Sequence, residues 1–285
     1  MAKLIDRLLC YSHAFQGGYG GLVLEQPVTA KTNHSGASDM MEGAIFIGTS
    51  GWSYSHWRDL FYPPGFSQKE WLYYYAKHFK TVEINNSFYQ LTDKKTLLRW
   101  YDMVPKDFIF TVKASRYITH IQRLNDPEQS TDTFLERIRM LEDKLGPILF
   151  QLPPRWHFNP ERLSAFLDTL SNDFRYVFEF RDRSWHNAQT YQLLSMHKAA
   201  FCIFDLDGFL SPREITTDLI YVRLHGPNGP YEGSYSKYSL SEWAATFANW
   251  SAQGHTIYCY FDNTKSGYAA AQNALTLQTM LHSTQ

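Results

Sequence analysis

Cysteine is scarce in this 285-residue sequence, which contains only Cys10, Cys202 and Cys259. Three scattered cysteines exclude a disulfide framework and a zinc site built from cysteine pairs. Long apolar runs are also missing, since no stretch reaches the roughly 18 apolar residues of a membrane span. Asp6 and Arg7 interrupt the first residues, which therefore lack the apolar core of a secretion signal. We expect a protein of the reducing cytoplasm with no membrane segment.

An excess of either charge is missing as well. The chain carries 27 Lys and Arg against 28 Asp and Glu, for a formal net charge of −1. Binding to phosphate backbones requires a concentrated cationic surface, so this balance argues against a strongly basic nucleic-acid binder. Neither GxGxxG nor GxxxxGK[ST] follows the first predicted strand, which disfavours a dinucleotide or P-loop protein.

Residues 1–43 differ in composition from the remainder. They are rich in Gly, Ser, Thr and Asn and lack sustained apolar periodicity. Such composition predicts a disordered or non-native N-terminal extension, followed by one domain over residues 44–285. Met40 and Met41 directly precede the first strand, which suggests that native translation starts there.

Strand and helix patterns then alternate along the chain. Polar helix-start signals such as Ser67 with Glu70, and Ser239 with Glu242, fit the capping box. Eight strand–helix units predict an α/β fold, a single (β/α)8 TIM barrel, with a doubly wound open sheet as the competitor. The eight predicted strands are Ala44–Gly48, Thr81–Asn85, Phe108–Lys113, Ile148–Gln151, Tyr176–Phe180, Ala200–Asp205, Leu219–His225 and Thr256–Phe261. Only the sixth connection, residues 206–218, lacks a convincing long helix.

Polar residues recur at alternate positions near the ends of these strands. Alternate side chains of a strand point to opposite faces, and a charge beneath a helix layer is costly. The polar set should therefore face the barrel interior at its C-terminal mouth, the catalytic end of such barrels. It comprises Glu83, Asn85, Thr111, Lys113, Gln151, Glu179, Arg181, Asp205, Tyr221, Arg223, His225, Tyr258, Tyr260 and Asp262. Four carboxylates would face three permanent cations there. The alternative is an ion-pair lattice that only fills the barrel.

Aromatic residues are frequent in the loops that follow the strands. Such rings can stack on sugars or nucleobases, pack on a cation, or simply pack the loops. They are Trp52, Tyr54, Trp57, Phe88, Tyr89, Trp185, Tyr231, Tyr235 and Tyr238.

Several motifs together resemble the YecE-like family, also called domain of unknown function seventy-two. They are GTSGWSYSHWRDLFYP, TVEINNSFYQL, FTVKASRYITH, KLGPILFQLPP, FEFRDRSW, YVRLHG and YFDN, in family order from about Ile45 to Leu281. The resemblance implies a TIM barrel and no established activity. The motif positions include Gly48, Gly51, Trp52, Tyr54, Trp57, Glu83, Asn85, Phe88, Tyr89, Lys113, His120, Gln151, Glu179, Arg181, Trp185, Arg223, His225, Gly226, Asp262 and Asn263.

The favoured hypothesis is an enzyme, a hydrolase or isomerase, that acts on a small polar, sugar-like or phosphorylated substrate. Inward carboxylates on non-adjacent strands can serve as acid and base, and arginines can orient an anionic group. The candidate catalytic residues are Glu83, Glu179, Lys113, His225 and Asp262. The candidate substrate-binding residues are Trp52, Tyr54, Asn85, Tyr89, Gln151, Arg181, Trp185, Asp205, Arg223, Tyr235 and Asn263.

Two further functions stay open. One is nucleic-acid binding or processing, suggested by similar endonuclease IV-like barrels and disfavoured by the charge balance. The other is a non-catalytic ligand-binding module. No cofactor is clearly implied and no metal site is assigned, although the carboxylates could hold Mg²⁺ or Mn²⁺. A small-molecule ligand is the expected partner, and the sequence carries no signal for an oligomeric state.

Overall fold

The computed structural model describes residues 41–125 and 127–283. Of the predicted N-terminal extension, residues 1–43, this part of the chain includes only residues 41–43. There the Gly43 N–H donates to the Ser251 carbonyl oxygen at 2.9 Å, and Ser251 Oγ donates to the Gly43 carbonyl oxygen at 2.6 Å. Gly43 is therefore bound to the domain that follows.

Eight parallel strands form a nearly closed barrel, as the alternating pattern predicts. The strands of the described chain are β1 (Ile45–Thr49), β2 (Thr81–Ile84), β3 (Ile109–Lys113), β4 (Leu145–Leu152), β5 (Tyr176–Phe180), β6 (Ala200–Leu206), β7 (Phe209–Leu210), β8 (Leu219–Leu224) and β9 (Thr256–Phe261). Their order is β1-β9-β8-β6-β5-β4-β3-β2, and β7 pairs antiparallel with β6 outside this path. The prediction that the sixth connection lacks a long helix is confirmed, because the β7 hairpin lies there.

Helices follow the other strands and cover the outside of the sheet. Those of the described chain are α1 (Trp71–Tyr75), α2 (Asn86–Tyr89), α3 (Lys94–Met103), α4 (Pro127–Ile138), α5 (Pro160–Thr169), α6 (Ala188–Met196), α7 (Lys237–Ala252) and α8 (Ala269–His282). The capping box at Ser67 and Glu70 is confirmed. The second predicted box is wrong, because α7 begins earlier and Ser236 caps it by accepting from the Ser239 N–H.

A buried tyrosine hydroxyl joins β1 to β2. Tyr75 OH accepts from the Thr49 N–H at 2.9 Å and donates to the Thr81 carbonyl oxygen at 3.1 Å. This hydroxyl therefore stands where a backbone ladder would otherwise run. Gly48 permits the close approach, because a Cβ at this position would collide with the Thr81 carbonyl oxygen.

The two strands meet directly only at their C-terminal ends. Ser50, just after β1, forms an isolated parallel bridge with Glu83, and the Gly51 N–H donates to the Glu83 carbonyl oxygen at 2.8 Å. On its other side, the Ser50 N–H donates to the Phe261 carbonyl oxygen at 2.9 Å. Closure of the barrel thus places Ser50 and Glu83 side by side at the mouth.

The alternation of side chains divides the core into two parts. One large apolar cluster lies between the strands and the helices. A smaller buried cluster fills the barrel interior with Leu149, Val177, Ala200, Cys202, Leu219, Tyr221, Tyr258 and Tyr260. Hydroxyl pairs cross this interior, such as Thr81 with Tyr260 at 2.6 Å and Thr111 with Tyr221 at 3.0 Å. The interior is thus a packed floor beneath the mouth.

Candidate active site

The inward polar side chains gather around one guanidinium group above this floor. Arg223 in β8 is 1% exposed and lies within 3.2 Å of the carboxylates of Glu83, Glu179 and Asp262. Burial opposes the charge, but attraction to Glu83 and Glu179 outweighs it and raises the pKa of Arg223 further above its ordinary value. Arg223 is therefore the centre of the mouth.

Glu83 is the bidentate partner of this guanidinium. Arg223 Nε donates to Oε2 at 3.0 Å and Nη2 donates to Oε1 at 2.7 Å. Two hydroxyls complete the set, because Ser50 Oγ donates to Oε1 at 2.5 Å and Tyr221 OH donates to Oε2 at 2.7 Å. Three donors from β8 and one from Ser50 thus fix the orientation of a fully buried carboxylate.

Glu179 in β5 is held by two arginines. Arg223 Nη1 donates to its Oε2 at 2.8 Å, and Arg181 Nε donates to its Oε1. Burial alone would raise the pKa of Glu179, but the two guanidinium groups outweigh burial and hold the pKa well below its usual range. Glu179 is therefore ionised near neutral pH.

His225 follows β8 and is fully buried beside the same groups. Its Nε2 lies 3.0 Å from Arg181 Nη2 and 3.4 Å from Arg223 Nη1, so it faces donors that cannot accept. Burial and the two arginines lower the pKa of His225 to about 4. The ring is therefore neutral near pH 7, and its proton belongs on Nδ1, which lies 3.0 Å from Asp262 Oδ2 without the alignment of a hydrogen bond.

Lys113 at the end of β3 differs from the other cations of the mouth. Within the described chain, no hydrogen-bond acceptor or carboxylate lies at bonding distance from its amine, whose Nζ sits 4.2 Å from the centre of the Phe88 ring. Burial and the nearby Arg223 lower the pKa of Lys113 to about 8, although Glu179 opposes the shift. The side chain is only partly exposed, and the pKa of its amine lies close to neutral pH.

Three further predicted residues lie around the rim of the mouth, next to the ionic cluster. Asn85 Nδ2 donates to Ser50 Oγ, and its Oδ1 is buried without a partner. Tyr54 OH donates to the Ser50 carbonyl oxygen at 2.5 Å. Gln151 is buried at the end of β4 and its Nε2 donates to the Leu152 carbonyl oxygen at 2.8 Å.

Two rings cover the site from neighbouring loops. His120 lies on a short π-helical turn, Tyr117–Ile121, with its ring centre 5.1 Å from that of Phe88. Tyr231 packs edge-on against His225 with ring centres 5.5 Å apart. Burial and nearby cations, Lys113 first among them, lower the pKa of His120 to about 4. The ring beside Lys113 is therefore neutral.

Three predicted aromatic residues do not reach the ionic cluster. Trp185 is fully buried, stacks on Phe180 and donates through Nε1 to the Trp156 carbonyl oxygen at 2.6 Å. Trp52 packs edge-on against Trp100 with ring centres 4.8 Å apart. Tyr89 is 82% exposed. The loop aromatics thus divide into packed supports and free surface groups.

Asp205 does not face the barrel interior, so this prediction is wrong. The alternation in β6 places Cys202 inside, with its Sγ 3.8 Å from Glu179 Oε2, and Phe204 next at the mouth beneath the Arg181 guanidinium. Asp205 shares the outward parity of Ile203, which packs among the outer core residues. The mouth therefore contains three carboxylates rather than four.

Asp205 instead belongs to a group of hydrogen-bonded residues that holds the loop after β8. The other predicted residues in this group are Tyr235 and Asn263. Tyr235 OH donates to Asp205 Oδ2 at 3.0 Å and accepts from the Gly226 N–H at 3.0 Å. Asn263 Nδ2 donates to the Gly233 carbonyl oxygen at 2.8 Å and to Asn273 Oδ1 at 2.9 Å. These contacts hold the loop after β8 and thereby the backbone next to His225.

Ser50 and Tyr221 were not among the predicted site residues, although both hold Glu83. Tyr221 was assigned to the interior but to no role. Ser50 continues the inward parity of Phe46 and Gly48 beyond the predicted end of the first strand. Extending the parity rule by two residues would have found it.

The described residues contain no group of three His, Cys, Asp or Glu side chains placed to hold a metal ion. The three mouth carboxylates are all engaged by Arg223.

Surface clefts occur away from the cluster. One of about 440 Å³ includes Arg175, Tyr176 and Asp218, near the N-terminal ends of strands. Another of about 340 Å³ lies beside the junction of β1 and β2 and includes Trp52, Asn86 and Trp100. Neither contains the ionic groups of the mouth.

Comparison with known proteins agrees with the resemblance seen in the motifs. The family model described as "Protein of unknown function DUF72" matches residues 46–285. UPF0759 protein YunF of Bacillus subtilis is 28% identical over 260 residues, which cover 79% of this chain and 91% of YunF. UPF0759 protein YecE of Escherichia coli K12 is 34% identical over 140 residues, 48% of each chain.

The fold also matches a solved structure. The crystal structure of a DUF72 family protein from Thermotoga maritima aligns with a TM-score of 0.75 at 29% sequence identity, covering 84% of this chain and 99% of that one. The predicted TIM barrel is thereby confirmed. Within the part of the chain that the structure describes, no helix has the length and apolar character needed to cross a membrane.

Proposed function

This chain belongs to the family of proteins of unknown function DUF72, and from the geometry of its barrel mouth we propose that it is an enzyme. Its substrate is a small polar molecule, sugar-like or phosphorylated. The reactive group is the Lys113 amine, and the site lies at the C-terminal ends of the strands, where TIM-barrel enzymes carry their active sites.

The observation that carries this proposal is the unpaired state of Lys113. A cation that only stabilises a fold is normally paired, as Arg223 is with three carboxylates. Lys113 instead has an aromatic ring as its neighbour and a pKa of about 8. A lysine whose pKa is lowered toward neutral pH in this way is suited to proton transfer or nucleophilic attack.

Glu83 and Glu179 act as positioning residues in this proposal. Each accepts hydrogen bonds from Arg223, and Arg181 adds a further donor to Glu179. Glu179, which is stabilised by two guanidinium groups, is a weak base near neutral pH. Glu83 and Glu179 therefore orient Arg223, and Glu179 also orients Arg181, while Lys113 carries the reaction.

The charges of the rim support a polar substrate. Arg181 has a side chain 9% exposed, and His225 adds a neutral imidazole beneath Tyr231. Guanidinium groups bind carboxylate or phosphate oxygens in a bidentate manner. A substrate with one anionic group and several hydroxyls fits this mixture of donors and acceptors.

The experiment is a thermal-shift screen of the full chain against phosphosugars, sugar acids, nucleotides and oligonucleotides, followed by product analysis. A ligand at 100 times its dissociation constant stabilises a protein by about 2.7 kcal/mol, a shift of several degrees. Each hit is then incubated with the parent and with Lys113→Met, and the mixture is analysed by NMR.

We expect the parent to convert a hit and Lys113→Met to lose at least a hundredfold in rate. Lys77→Met is the matched control, because the exposed Lys77 amine also lies against a ring, 4.3 Å from the centre of Tyr73. Full turnover in Lys113→Met would refute the assignment. A hit that the parent returns unchanged would identify a binding module, and a hit only among oligonucleotides, weakened steeply by salt, would identify nucleic-acid binding.

A further inference from the structure

We propose that Lys113 forms a covalent Schiff base with its substrate, which makes the substrate an aldehyde or a ketone. This inference rests on the proposed function and names the substrate class for the same site. Lysine amines that attack carbonyl groups are activated by desolvation or by a neighbouring cation. Lys113 combines the two conditions, with Phe88 as its apolar neighbour and Arg223 as the cation.

The position of the amine leaves its nitrogen free to react. Within the described residues, Lys113 makes no ion pair, so no carboxylate competes for the proton or for the position of the amine. Its backbone is fixed at the end of β3, where Ser87 Oγ donates to the Lys113 carbonyl oxygen at 2.7 Å. The side chain is partly exposed, which gives a small carbonyl compound a route from solvent to this residue.

Burial also supplies the unprotonated amine that the reaction requires. With a pKa of about 8, Lys113 has a neutral fraction at pH 7 roughly two-hundredfold larger than that of an ordinary lysine. Lower basicity reduces the intrinsic nucleophilicity of an amine, but less steeply than it enlarges the reactive fraction. Lys113 should therefore outcompete the exposed lysines near neutral pH.

The step balances without any redox partner. The nitrogen lone pair of Lys113 attacks the carbonyl carbon, the C–O π electrons move to oxygen, and one N–H proton is transferred to that oxygen to give a carbinolamine. A proton from solvent then allows the oxygen to leave as water while the nitrogen lone pair forms the C=N bond. The product is an iminium cation and one molecule of water.

The surroundings suit the cation that results. The iminium charge stays against the Phe88 ring, where a cation is attracted by the ring face. Glu179 and Glu83 attract a positive charge at this position, as their effect on the Lys113 amine indicates. The same carboxylates are held in place by Arg223, so they are oriented before the reaction starts.

The test is reductive trapping in the full chain. The protein is incubated at pH 7 with glyoxylate or, separately, glycolaldehyde, together with sodium cyanoborohydride, which reduces an iminium to a stable amine. Peptide mass spectrometry measures the rate of adduct formation at each lysine. Lys77, exposed beside Tyr73, is the internal reference in the same molecule.

We expect Lys113 to be trapped at least tenfold faster than Lys77 by one of the two probes. Lys113→Arg, which keeps the charge, should lose that fast adduct and keep the slow labelling at Lys77. Equal trapping rates at Lys113 and Lys77 with both probes would overturn the Schiff base. That result would leave the proposed function standing if Lys113→Met still abolishes turnover of a screened substrate, so the two failures are distinguishable.

Discussion

Glu83 and Arg223 form a bidentate pair across the interior of the barrel, with hydrogen bonds of 3.0 and 2.7 Å. They lie on β2 and β8, which are not neighbours in the sheet, and are 140 positions apart in the chain. The pair therefore ties opposite parts of the barrel together directly. It also organises the ionic cluster of the mouth, because Glu179, Asp262 and His225 contact Arg223 directly and Arg181 contacts Glu179.

Replacing Arg223 by Met should destabilise the fold by about 3–5 kcal/mol, since it leaves buried carboxylates without their cation. Urea unfolding of the parent and the variant measures this difference. Arg139→Met is the control, because its ion pair with Asp173 at 2.8 Å is largely exposed and should contribute only about 0–1 kcal/mol. A loss at Arg223 as small as that at Arg139 would contradict the central role given to the cluster.

The pH dependence of stability should report on Lys113. Its pKa is about 8 in the folded state and about 10.4 when unfolded, so between these values the unfolded chain binds more protons. Stability attributable to this group therefore rises as pH increases from about 8 to 10.4. The expected size is about 1–2 kcal/mol, less than the full shift because the side chain is partly exposed.

Lys113→Met should remove this rise, and the variant should be more stable than the parent at pH 7. Unfolding of both proteins between pH 7 and 10.5 provides the comparison, with Lys77→Met as control. Parallel curves for the parent and Lys113→Met would show that the amine has an ordinary pKa.

His225 should contribute at the acidic end. Its pKa is about 4 in the folded state against about 6.5 in the unfolded chain, so acid favours the unfolded state that takes up the proton. Stability should fall as pH decreases from about 6.5 to 4, by on the order of 3 kcal/mol. His225→Gln should flatten this part of the curve. The exposed His78 provides the control variant His78→Gln, and equal slopes in the two variants would refute a buried neutral imidazole.

Two rim aromatics should respond differently to truncation. Trp185→Ala should cost about 3–5 kcal/mol, because the ring is fully buried between Phe180 and Trp156. Tyr89→Ala should change stability by less than about 0.5 kcal/mol, because the side chain is 82% exposed. Thermal and urea unfolding measure both effects. Similar losses of stability at the two positions would contradict the assignment of Trp185 as a buried packing residue and Tyr89 as a surface residue.

The sequence predicted the barrel and most of the inward polar residues because both depend on local periodicity. A period of two in the strands, read with the cost of placing a charge beneath a helix, assigned Glu83, Glu179 and Arg223 to the same interior. The rule fails at Asp205, because a polar side chain there does not indicate the inward face. There the chain is about to leave the sheet for the β7 hairpin, and an outward polar group meets Tyr235 instead of a helix.

The partners of each inward group were not predictable. Which carboxylate reaches Arg223 depends on the stagger of the strands around the barrel, which periodicity does not encode. The isolation of Lys113 from those carboxylates follows from the same stagger. The burial of Trp185 and the exposure of Tyr89 depend on how two loops fold back, and both residues follow strands in similar motifs.

The seam between β1 and β2 determines where the barrel opens transiently. Adjacent strands elsewhere share a ladder, whereas this seam relies on one tyrosine hydroxyl and the contacts of Ser50 and Gly51 with Glu83. Transient opening of the barrel requires the fewest broken hydrogen bonds there, so amide protons along this seam should exchange with deuterium earliest among the barrel strands. Each such opening also separates Ser50 from Glu83, so the same motion gives solvent access to the ionic cluster around Arg223.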